Sequence, residues 1–277
     1  MSKVSLEKDK IRILLLEGVH QSALETLKNN GYTNIEYLKT SLPEDELIEK
    51  IKDAHFVGLR SRTQITEKVV DAAKKLVAIG CFCIGTNQID LEACLDKGVA
   101  VFNAPYSNTR SVVELAIGEI IFLMRNLPDR IAEMHQGIWN KSATGSFEVR
   151  GKKLGIVGYG NIGAQLSVMA ESIGFDVYYY DLVERLALGN ATKCSSLDEL
   201  LQTVDIVTFH VDGRKENKNI IGDRELSLMK EGSYLLNLSR GSVIDIEALH
   251  KHISSGRIKG AGVDVFPKEP KTNQEEF

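Results

Sequence analysis

Short apolar runs alternate with amphipathic stretches over residues 11–102 of the chain. The apolar runs predict β-strands, and the amphipathic stretches predict helices. We expect strands at 11–16, 34–38, 55–59, 76–81 and 99–102, and helices at 20–29, 43–53, 67–75 and 90–97. Strand–helix alternation of this kind indicates parallel strands joined by helical crossovers, which is the α/β class.

The segment from Val112 to Met124 interrupts this alternation. Its sequence, VVELAIGEIIFLM, is apolar on nearly every helical face and is relieved only by Glu114 and Glu119. A helix that is hydrophobic all round has to be covered on all sides. The pattern therefore predicts a deep core helix, a helix in a subunit interface, or both at once. Residues 131–150 lack a clean period and predict a short helix followed by a loop.

The alternation resumes at Lys153 and continues to Val265. A sheet that restarts after a buried helix indicates a second domain, and 277 residues are too many for one average domain. We therefore expect a first α/β domain over residues 1–107 and a second over residues 108–277. No internal repeat or low-complexity tract interrupts either part.

Composition and charge narrow the range of partners. With 34 basic and 38 acidic residues the net charge is -4, so the protein has no general field for holding nucleic acid or an anionic membrane. An anionic substrate would need a local cluster of cations. The sequence shows no signal peptide and no apolar run long enough to span a bilayer, which predicts a cytoplasmic protein. Four cysteines without paired zinc-ligand spacing predict reduced core residues, namely Cys81, Cys83, Cys94 and Cys194.

The strongest local signal is the stretch LGIVGYGNIG, a strand that leads into Gly158, Gly160 and Gly163 and then into a helix from Asn161. This G-x-G-x-x-G spacing is the fingerprint of a dinucleotide site. Gly158 permits a tight turn, and Gly160 lets the backbone approach a pyrophosphate. Gly163 allows the helix to pack closely on the strand, and the helix N-terminus directs amide donors at the phosphates.

The next strand, from Phe175 to Tyr180, ends at Asp181. A carboxylate at this position accepts hydrogen bonds from a ribose 2′-hydroxyl and would repel a 2′-phosphate. The sequence therefore predicts NAD rather than NADP as the cofactor.

Polar residues also follow two later strands. The predicted strand from Tyr234 to Leu238 leads into Ser239 and Arg240, and carboxyl ends of strands border the ligand crevice in doubly wound sheets. Arg240 is placed to bind a carboxylate in two-pronged fashion, although a surface arginine is the alternative. The predicted strand from Ala261 to Val265 leads to Glu269, which is either a fixed carboxylate beside the nicotinamide site or a solvated loop acid.

Arg60 and Arg62 follow the predicted strand at 55–59. Alternate positions share a face, so both side chains could converge on one anionic group, with solvated strand-end charges as the alternative. Hydride transfer from an alcohol also needs a proton acceptor, and histidine suits this role near neutral pH. None of the six histidines has the sequence context of a catalytic base. His210, at the end of a predicted strand, is a candidate cofactor contact.

Several longer segments carry a resemblance to a known family. They are GLRSRT, AIGCFCIGTNQID, FNAPYSNTRSVVELAIGEI, WNKSATGSFEVRGKKLGIVGYGNIG, NLSRGSVID and AGVDVFPKEP. Together they resemble the D-isomer-specific 2-hydroxyacid dehydrogenase family from about Val4 to the last residue. The resemblance implies a doubly wound parallel Rossmann domain that binds NAD, plus a flavodoxin-like α/β substrate domain that is incomplete at the C-terminus.

The resemblance also implies an activity and a set of site residues. The activity is oxidation of 3-phospho-D-glycerate to 3-phosphohydroxypyruvate, the first step of L-serine biosynthesis. Arg240 would bind and polarise the substrate, and Glu269 would pair with a histidine. The implied NAD contacts are Asn161, Ile162, Asp181, the turn of Leu238, Ser239 and Arg240, and Asp264. The implied substrate contacts are Arg60, Ser61, Arg62 and Asn108, with Lys39 and Lys141 adding charge from the same or a neighbouring subunit. The apolar helix after Arg110 would lie in a homodimer interface.

The sequence departs from the family pattern after Glu269. The family's catalytic histidine belongs to a Pro-His-x-x-Gly segment that follows this glutamate, and the present sequence stops at Phe277. We therefore expect the last strand of the NAD sheet to be missing and the 277-residue chain alone to be almost inactive. A smaller departure is Asp212-Gly213, where the family usually has a proline. The alternatives are another D-2-hydroxyacid dehydrogenase, acting on hydroxypyruvate, glyoxylate or D-lactate, and a non-catalytic NAD-binding remnant.

Overall fold

The computed structural model describes residues 6–270. Residues 1–5 and 271–277, which include both ends of the family resemblance, lie outside this range. The chain divides into two compact units, Met1–Asn108 and Thr109–Phe277. The strands and helices of the first unit are β1 (Ile13–Leu15), β2 (Ile35–Tyr37), β3 (Phe56–Leu59), β4 (Ala78–Cys81), β5 (Ala100–Asn103), α1 (Gln21–Asn29), α2 (Glu44–Ile51), α3 (Glu67–Ala72) and α4 (Leu91–Asp96).

The first unit contains a parallel sheet with strand order β2-β1-β3-β4-β5. This is the flavodoxin-like order. Both faces of β1 are buried, because Leu14 packs with α2 and α3 whereas Ile13 and Leu15 pack towards α1. A strand covered on both faces explains the unbroken apolar run ILLL in the sequence. The α/β class with parallel pairing is confirmed.

The second unit holds the remaining elements. Its strands are β6 (Lys153–Val157), β7 (Asp176–Tyr180), β8 (Thr192–Lys193), β9 (Ile206–Phe209), β10 (Ser233–Asn237) and β11 (Ile258–Val263). Its helices are α5 (Thr109–Met124), α6 (Leu127–His135), α7 (Asn161–Ser172), α8 (Leu197–Thr203), α9 (Asp223–Leu228) and α10 (Ile246–Ser254).

The sheet of the second unit is also parallel, with strand order β11-β10-β9-β6-β7-β8. Counted from β6, this is the doubly wound Rossmann order 3-2-1-4-5-6. The chain reverses direction across the sheet between β6 and β9, and ligands bind outside the carboxyl ends of the strands at such a reversal. The predicted Rossmann fold is confirmed. The expected loss of the last strand of this sheet stays a prediction.

Helix α5 is buried on one face only. Val113, Ala116 and Ile120 pack into the core of the second unit. On the other side, Leu115 and Phe122 are 42% and 46% exposed. The apolar residues of this helix therefore lie on two faces. One face is buried in the core, and the other is exposed in the described chain.

Several element boundaries differ from the prediction, and the differences at strand β11 and helix α6 have a physical reason. Strand β11 begins at Ile258 instead of 261, because Lys259, Gly260 and Gly262 hide the apolar pattern of a strand that does pair with β10. Helix α6 begins at Leu127 instead of near 131, after Asn126 adopts a left-handed conformation with φ of 55°.

In the described range no helix is both long and apolar enough to cross a membrane.

Candidate active site

The turn between β6 and α7 uses two of its glycines for packing. Gly158 has a φ of +92°, and a Cβ there would lie 2.6 Å from the carbonyl oxygen of His210. A Cβ on Gly163 would lie 2.2 Å from the carbonyl oxygen of Gly158. Both distances are shorter than any real Cβ contact. The turn therefore has room for backbone only at these two positions.

Gly160 has a different role. A Cβ built on it would meet no atom within 4 Å in the described structure, so its backbone faces open space. Gly160 is also the N-cap of α7, and among the described residues no side chain caps that helix end. An uncapped N-terminus beside an open glycine fits a pyrophosphate, which would receive the first amide N–H groups of the helix.

Asp181, directly after β7, is fixed against the glycine turn. Its Oδ2 accepts a hydrogen bond from the backbone N–H of Tyr159 at 2.7 Å, and its Oδ1 accepts one from Val183 at 2.8 Å. Each carboxylate oxygen keeps a further lone pair, so Asp181 can still accept from ribose hydroxyl groups. The contact with Tyr159 couples the predicted ribose ligand directly to the predicted phosphate turn.

Tyr159 is a functional residue that the sequence did not reveal, because it occupies a variable position of the motif. Its ring stacks on Tyr179 with centroids 3.9 Å apart. Its hydroxyl lies 2.6 Å from Ser167 Oγ and accepts the N–H of Leu188 at 3.2 Å. Tyr159 therefore holds the glycine turn, helix α7 and the loop after Asp181 in one arrangement.

Replacing Asp181 by asparagine is expected to weaken the choice between NAD and NADP. The amide oxygen can still accept from Tyr159, so the contact with the glycine turn is kept, whereas the N–H of Val183 loses its acceptor and the negative charge facing a 2′-phosphate is lost. We expect the ratio of the Kd for NADP to the Kd for NAD to fall about tenfold, because like charges in close proximity oppose binding. Titration of both nucleotides by calorimetry measures this ratio. An unchanged ratio would remove Asp181 from the ribose site.

His210 directly follows β9, beside the glycine turn. Its Nε2 lies 3.0 Å from Thr208 Oγ1, and within the described chain its buried Nδ1 has no hydrogen-bond partner. Burial lowers the pKa of His210 from 6.5 to about 4. The imidazole is therefore neutral near pH 7, which suits a hydrogen-bonding contact better than a cationic one. Its contact with the cofactor stays a prediction.

The depressed pKa of His210 predicts an acid-sensitive fold. The unfolded chain binds a proton at this group below pH 6.5, whereas the folded chain does so only below about pH 4. The free energy of unfolding should therefore decrease as the pH falls through this window, by roughly 3 kcal/mol from this group. Urea unfolding of His210→Gln across the same window should lack this contribution. Parallel pH profiles for variant and parent would contradict the assignment.

The turn after β10 is shaped by Asn237, which is fully buried. Its Oδ1 accepts hydrogen bonds from the N–H and the hydroxyl of Ser239 at 3.2 and 2.8 Å, and its Nδ2 donates to the carbonyl of Arg240 at 3.0 Å. Arg240 Nη1 also donates to the Ser239 carbonyl at 2.7 Å. The buried Asn237 amide thus fixes the backbone at Ser239 and Arg240. Leu238, which follows Asn237 in the chain, is buried as well.

The loops that carry Arg240 and Glu269 are in contact. A Cβ on Gly241 would lie 2.0 Å from the carbonyl carbon of Phe266, so glycine is needed for the two loops to touch. Glu269 Oε1 accepts the N–H of Phe266 at 3.0 Å and fixes its own loop. Asp264, directly after β11, donates its N–H to the Asn237 carbonyl at 3.1 Å. The structure therefore brings the two predicted catalytic positions onto adjoining loops.

The departure at Asp212-Gly213 lies beside Arg240. Hydrogen bonds from Arg214, with the positive charge of Arg240 nearby, hold the pKa of Asp212 below its ordinary value. A Cβ on Gly213 would come within 3.5 Å of Arg240 Cγ. An ion-paired turn therefore packs against the stem of Arg240 where a proline was expected.

The predicted substrate contacts are exposed, as is Asn161 at the start of α7, whereas Ile162 is half-buried. In the first unit, Lys39 follows β2, the Arg60–Arg62 segment follows β3, and Asn108 is the last residue. Strands β2 and β3 flank β1, so Lys39 and the two arginines lie at one edge of this sheet. Lys141 belongs to the second unit, in the loop after α6, where it lines a groove with Trp139.

Comparison with known proteins identifies the class. Residues 117–277 match the model of the D-isomer specific 2-hydroxyacid dehydrogenase, NAD binding domain. The chain belongs to the D-isomer specific 2-hydroxyacid dehydrogenase family, whose members are NAD-dependent oxidoreductases. The predicted family resemblance and the predicted nicotinamide cofactor are confirmed.

Individual relatives are similar over almost the whole chain. The chain is 58% identical to D-3-phosphoglycerate dehydrogenase of Escherichia coli over 277 residues, which cover 100% of the chain and 68% of that protein. It is 54% identical to D-3-phosphoglycerate dehydrogenase 2 of Saccharomyces cerevisiae, over 96% of the chain and 56% of the relative. The solved D-lactate dehydrogenase of Aquifex aeolicus, complexed with NAD and lactic acid, has a TM-score of 0.81 at 27% identity and covers 93% of this chain and 78% of its own.

Proposed function

We propose that the protein oxidises 3-phospho-D-glycerate to 3-phosphohydroxypyruvate with NAD, in the reaction that opens L-serine biosynthesis. The observation that carries this proposal is the placement of Arg240 after β10, at the same sheet edge as the glycine turn after β6. The glycine turn that would bind the dinucleotide and the Arg240 guanidinium that would bind the carboxylate thus border the same crevice. The similarity to D-3-phosphoglycerate dehydrogenases supports the particular substrate.

Each residue has a defined part in this reaction. NAD, when bound, would supply the acceptor for the hydride that leaves C2 of the substrate. Gly158, Gly160 and Asp181 hold the dinucleotide, together with the further proposed contacts Asn161, Ile162, Gly163, His210, Leu238, Ser239 and Asp264. Arg240 binds the carboxylate with two parallel hydrogen bonds and polarises the oxygen on C2. Glu269 pairs with the histidine that the family resemblance assigns to the hydroxyl proton.

The phosphate of the substrate requires cations of its own. Arg60 and Arg62 are the proposed phosphate ligands, because a guanidinium fork matches phosphate geometry. Ser61 and Asn108 would add neutral donors, and Lys39 and Lys141 further positive charge. In this proposal the first unit contributes to the substrate domain, and the second unit is the NAD domain.

Kinetics with paired substrates test the proposal. The protein, expressed from its full reading frame, should reduce 3-phosphohydroxypyruvate with a kcat/KM at least about 100-fold above that for hydroxypyruvate, because each charged hydrogen bond to phosphate contributes about 1.5–3 kcal/mol. Glyoxylate and pyruvate should be poorer still. A preference for the unphosphorylated acid would instead favour another D-2-hydroxyacid dehydrogenase, and saturable NAD binding without turnover would favour a non-catalytic remnant.

We further propose that the protein forms a homodimer through the α5–α6 patch, by which we mean the exposed apolar residues Leu115, Phe122, Ile131, Met134, Ile138 and Trp139. Helices α5 and α6 contact each other, and exposed large apolar side chains that lie close together are typical of protein interfaces. Trp139 alone is 77% exposed. Sedimentation equilibrium should give a multiple of the chain mass, and a monomer would contradict this part of the proposal.

The unpaired cysteines support a cytoplasmic location.

A further inference from the structure

Glu17 is a buried carboxylate in an unusual backbone conformation. It follows β1, is 9% exposed, and has a φ of 60°, in the left-handed region that favours glycine. Its neighbour Gly18 is left-handed as well. A glutamate disfavours this conformation, so its presence here is explained if the side chain performs a task that glycine cannot perform.

The carboxylate of Glu17 reaches across to the loop after β3. Its Oε2 accepts the backbone N–H of Arg62 at 3.0 Å, and its Oε1 accepts the backbone N–H of Thr63 at 2.8 Å. Both oxygens are therefore used, one for each of two successive amides. Such charge-assisted bonds are stronger than those between neutral groups. The side chain of Glu17 thus fixes the backbone of the C-terminal half of the loop by two hydrogen bonds.

The other half of this loop is fixed by Gln88, which is also buried. Its Nε2 donates to the carbonyl of Arg60 at 2.9 Å. The backbone is thereby held on both sides of Ser61. The side chains of Arg60 and Arg62 are exposed, and within the described range neither guanidinium takes part in an ion pair. A fixed backbone that carries two uncommitted cations is an arrangement suited to an anionic ligand.

The turn at Glu17 is itself locked to the end of β2. The N–H of Glu17 donates to the carbonyl of Thr40 at 3.1 Å, and the N–H of Gly18 donates to the carbonyl of Leu38 at 3.0 Å. These bonds lie on either side of Lys39. Glu17 therefore joins the segment that carries Lys39 to the loop that carries both arginines.

We propose that Glu17 is a positioning residue that sets the backbone of the Arg60–Thr63 loop so that both guanidinium groups face the phosphate of the substrate. This inference rests on the proposed function, in which Arg60 and Arg62 bind that phosphate. Glu17 does not touch the substrate itself. It acts by removing the entropic cost of ordering the loop when the phosphate binds.

Two variants of Glu17 separate positioning from folding. Glu17→Gln keeps the shape but offers only one acceptor oxygen and directs an NH2 group at the second amide. Glu17→Gly removes the carboxylate but relieves the left-handed strain. In both variants, expressed from the full reading frame, we expect the KM for 3-phospho-D-glycerate to rise about tenfold, with kcat changed less than about threefold, because the loss is one of binding. The preference for phosphorylated over plain hydroxypyruvate should fall by a similar factor.

Asp205→Asn is the matched control. Asp205 accepts the backbone N–H of Lys153 at 2.9 Å and pairs with Lys230, at the amino edge of the sheet of the second unit, and contacts none of the Arg60–Thr63 loop. This variant should lose stability without any change in KM or in phosphate preference. Thermal unfolding of all variants is recorded alongside the kinetics, and Glu17→Gly should melt no lower than Glu17→Gln.

The outcomes distinguish the inference from the function on which it rests. If folded Glu17 variants keep the parent KM and phosphate preference while Arg60→Gln and Arg62→Gln lose them, the positioning role is overturned and the phosphate site stands. If Glu17 variants lose kcat in parallel with stability, as a purely structural residue would, the positioning role is also overturned. If the arginine variants keep the phosphate preference, the proposed phosphate site itself fails.

Discussion

Replacing Arg240 by glutamine is expected to lower kcat/KM for 3-phospho-D-glycerate about 100- to 1,000-fold, which is the range found when a preorganised donor to a developing charge is removed. Glutamine keeps much of the length of the side chain but presents no charge and no parallel pair of donors. The buried Asn237 will still hold the surrounding turn, so the loss should reflect missing chemistry and not a collapsed loop. Steady-state NADH formation measures it.

Two further variants show whether the loss in Arg240→Gln is specific to the guanidinium group and to this position. Arg240→Lys should recover only a small part of the activity, because an ammonium group lacks the planar fork. Arg224→Gln is the control, since Arg224 pairs with Asp198 on the exposed surface of the same unit. It should change kcat/KM less than about twofold, as expected for an exposed ion pair outside the site. Retention of more than about a tenth of the activity by Arg240→Gln would contradict the role of Arg240.

Alanine at Gly163 is expected to lower stability, whereas alanine at Gly160 is expected to weaken NAD binding with little change in stability. In a helix, glycine to alanine normally stabilises by about 1 kcal/mol. At Gly163 the new Cβ would lie 2.2 Å from the carbonyl oxygen of Gly158, so backbone must move and the free energy of unfolding should fall by about 1–3 kcal/mol or more. At Gly160 nothing lies within 4 Å in the described structure, so stability should change by less than about 0.5 kcal/mol.

The NAD affinity of the same two variants completes this test. The Cβ of Gly160→Ala would occupy the space in which the pyrophosphate approaches the backbone, so the Kd for NAD should rise at least about tenfold although the fold is intact. Denaturant unfolding and NAD titration are measured on both proteins. Unchanged NAD affinity in Gly160→Ala would mean that the open space over this glycine is not the pyrophosphate site.

The sequence was sufficient to predict the features that depend on local spacing. Parallel strands covered on both faces produce apolar runs, and amphipathic crossovers produce helical periodicity, so both sheets could be predicted as parallel. The separate roles assigned to Gly158, Gly160 and Gly163 agree with the space that the structure leaves at each of them. The position of Asp181 beside the glycine turn was predictable because its distance from the glycines along the chain is fixed by one helix and one strand.

Residues that act through distant contacts were not predictable in this way. Glu17 binds amides 45 and 46 positions away along the chain, and no local pattern marks such a pair. Asn237 and Tyr159 also went unnoticed, because a buried amide and a stacked phenol have no characteristic spacing. The sequence showed that Arg60 and Arg62 are two positive charges on one loop. The anchoring of their loop by Glu17 and Gln88 became visible only in the folded structure.

Direct hydride transfer from C2 of the substrate is the central claim, and isotopic labelling tests it most directly. The protein, expressed from its full reading frame, is incubated with NAD and 3-phospho-D-glycerate that carries deuterium at C2, and the nucleotide product is analysed by mass spectrometry. We predict that the deuterium is found in NADH and not in water. Reduced nucleotide without the label, or no reduced nucleotide at all, would contradict the account.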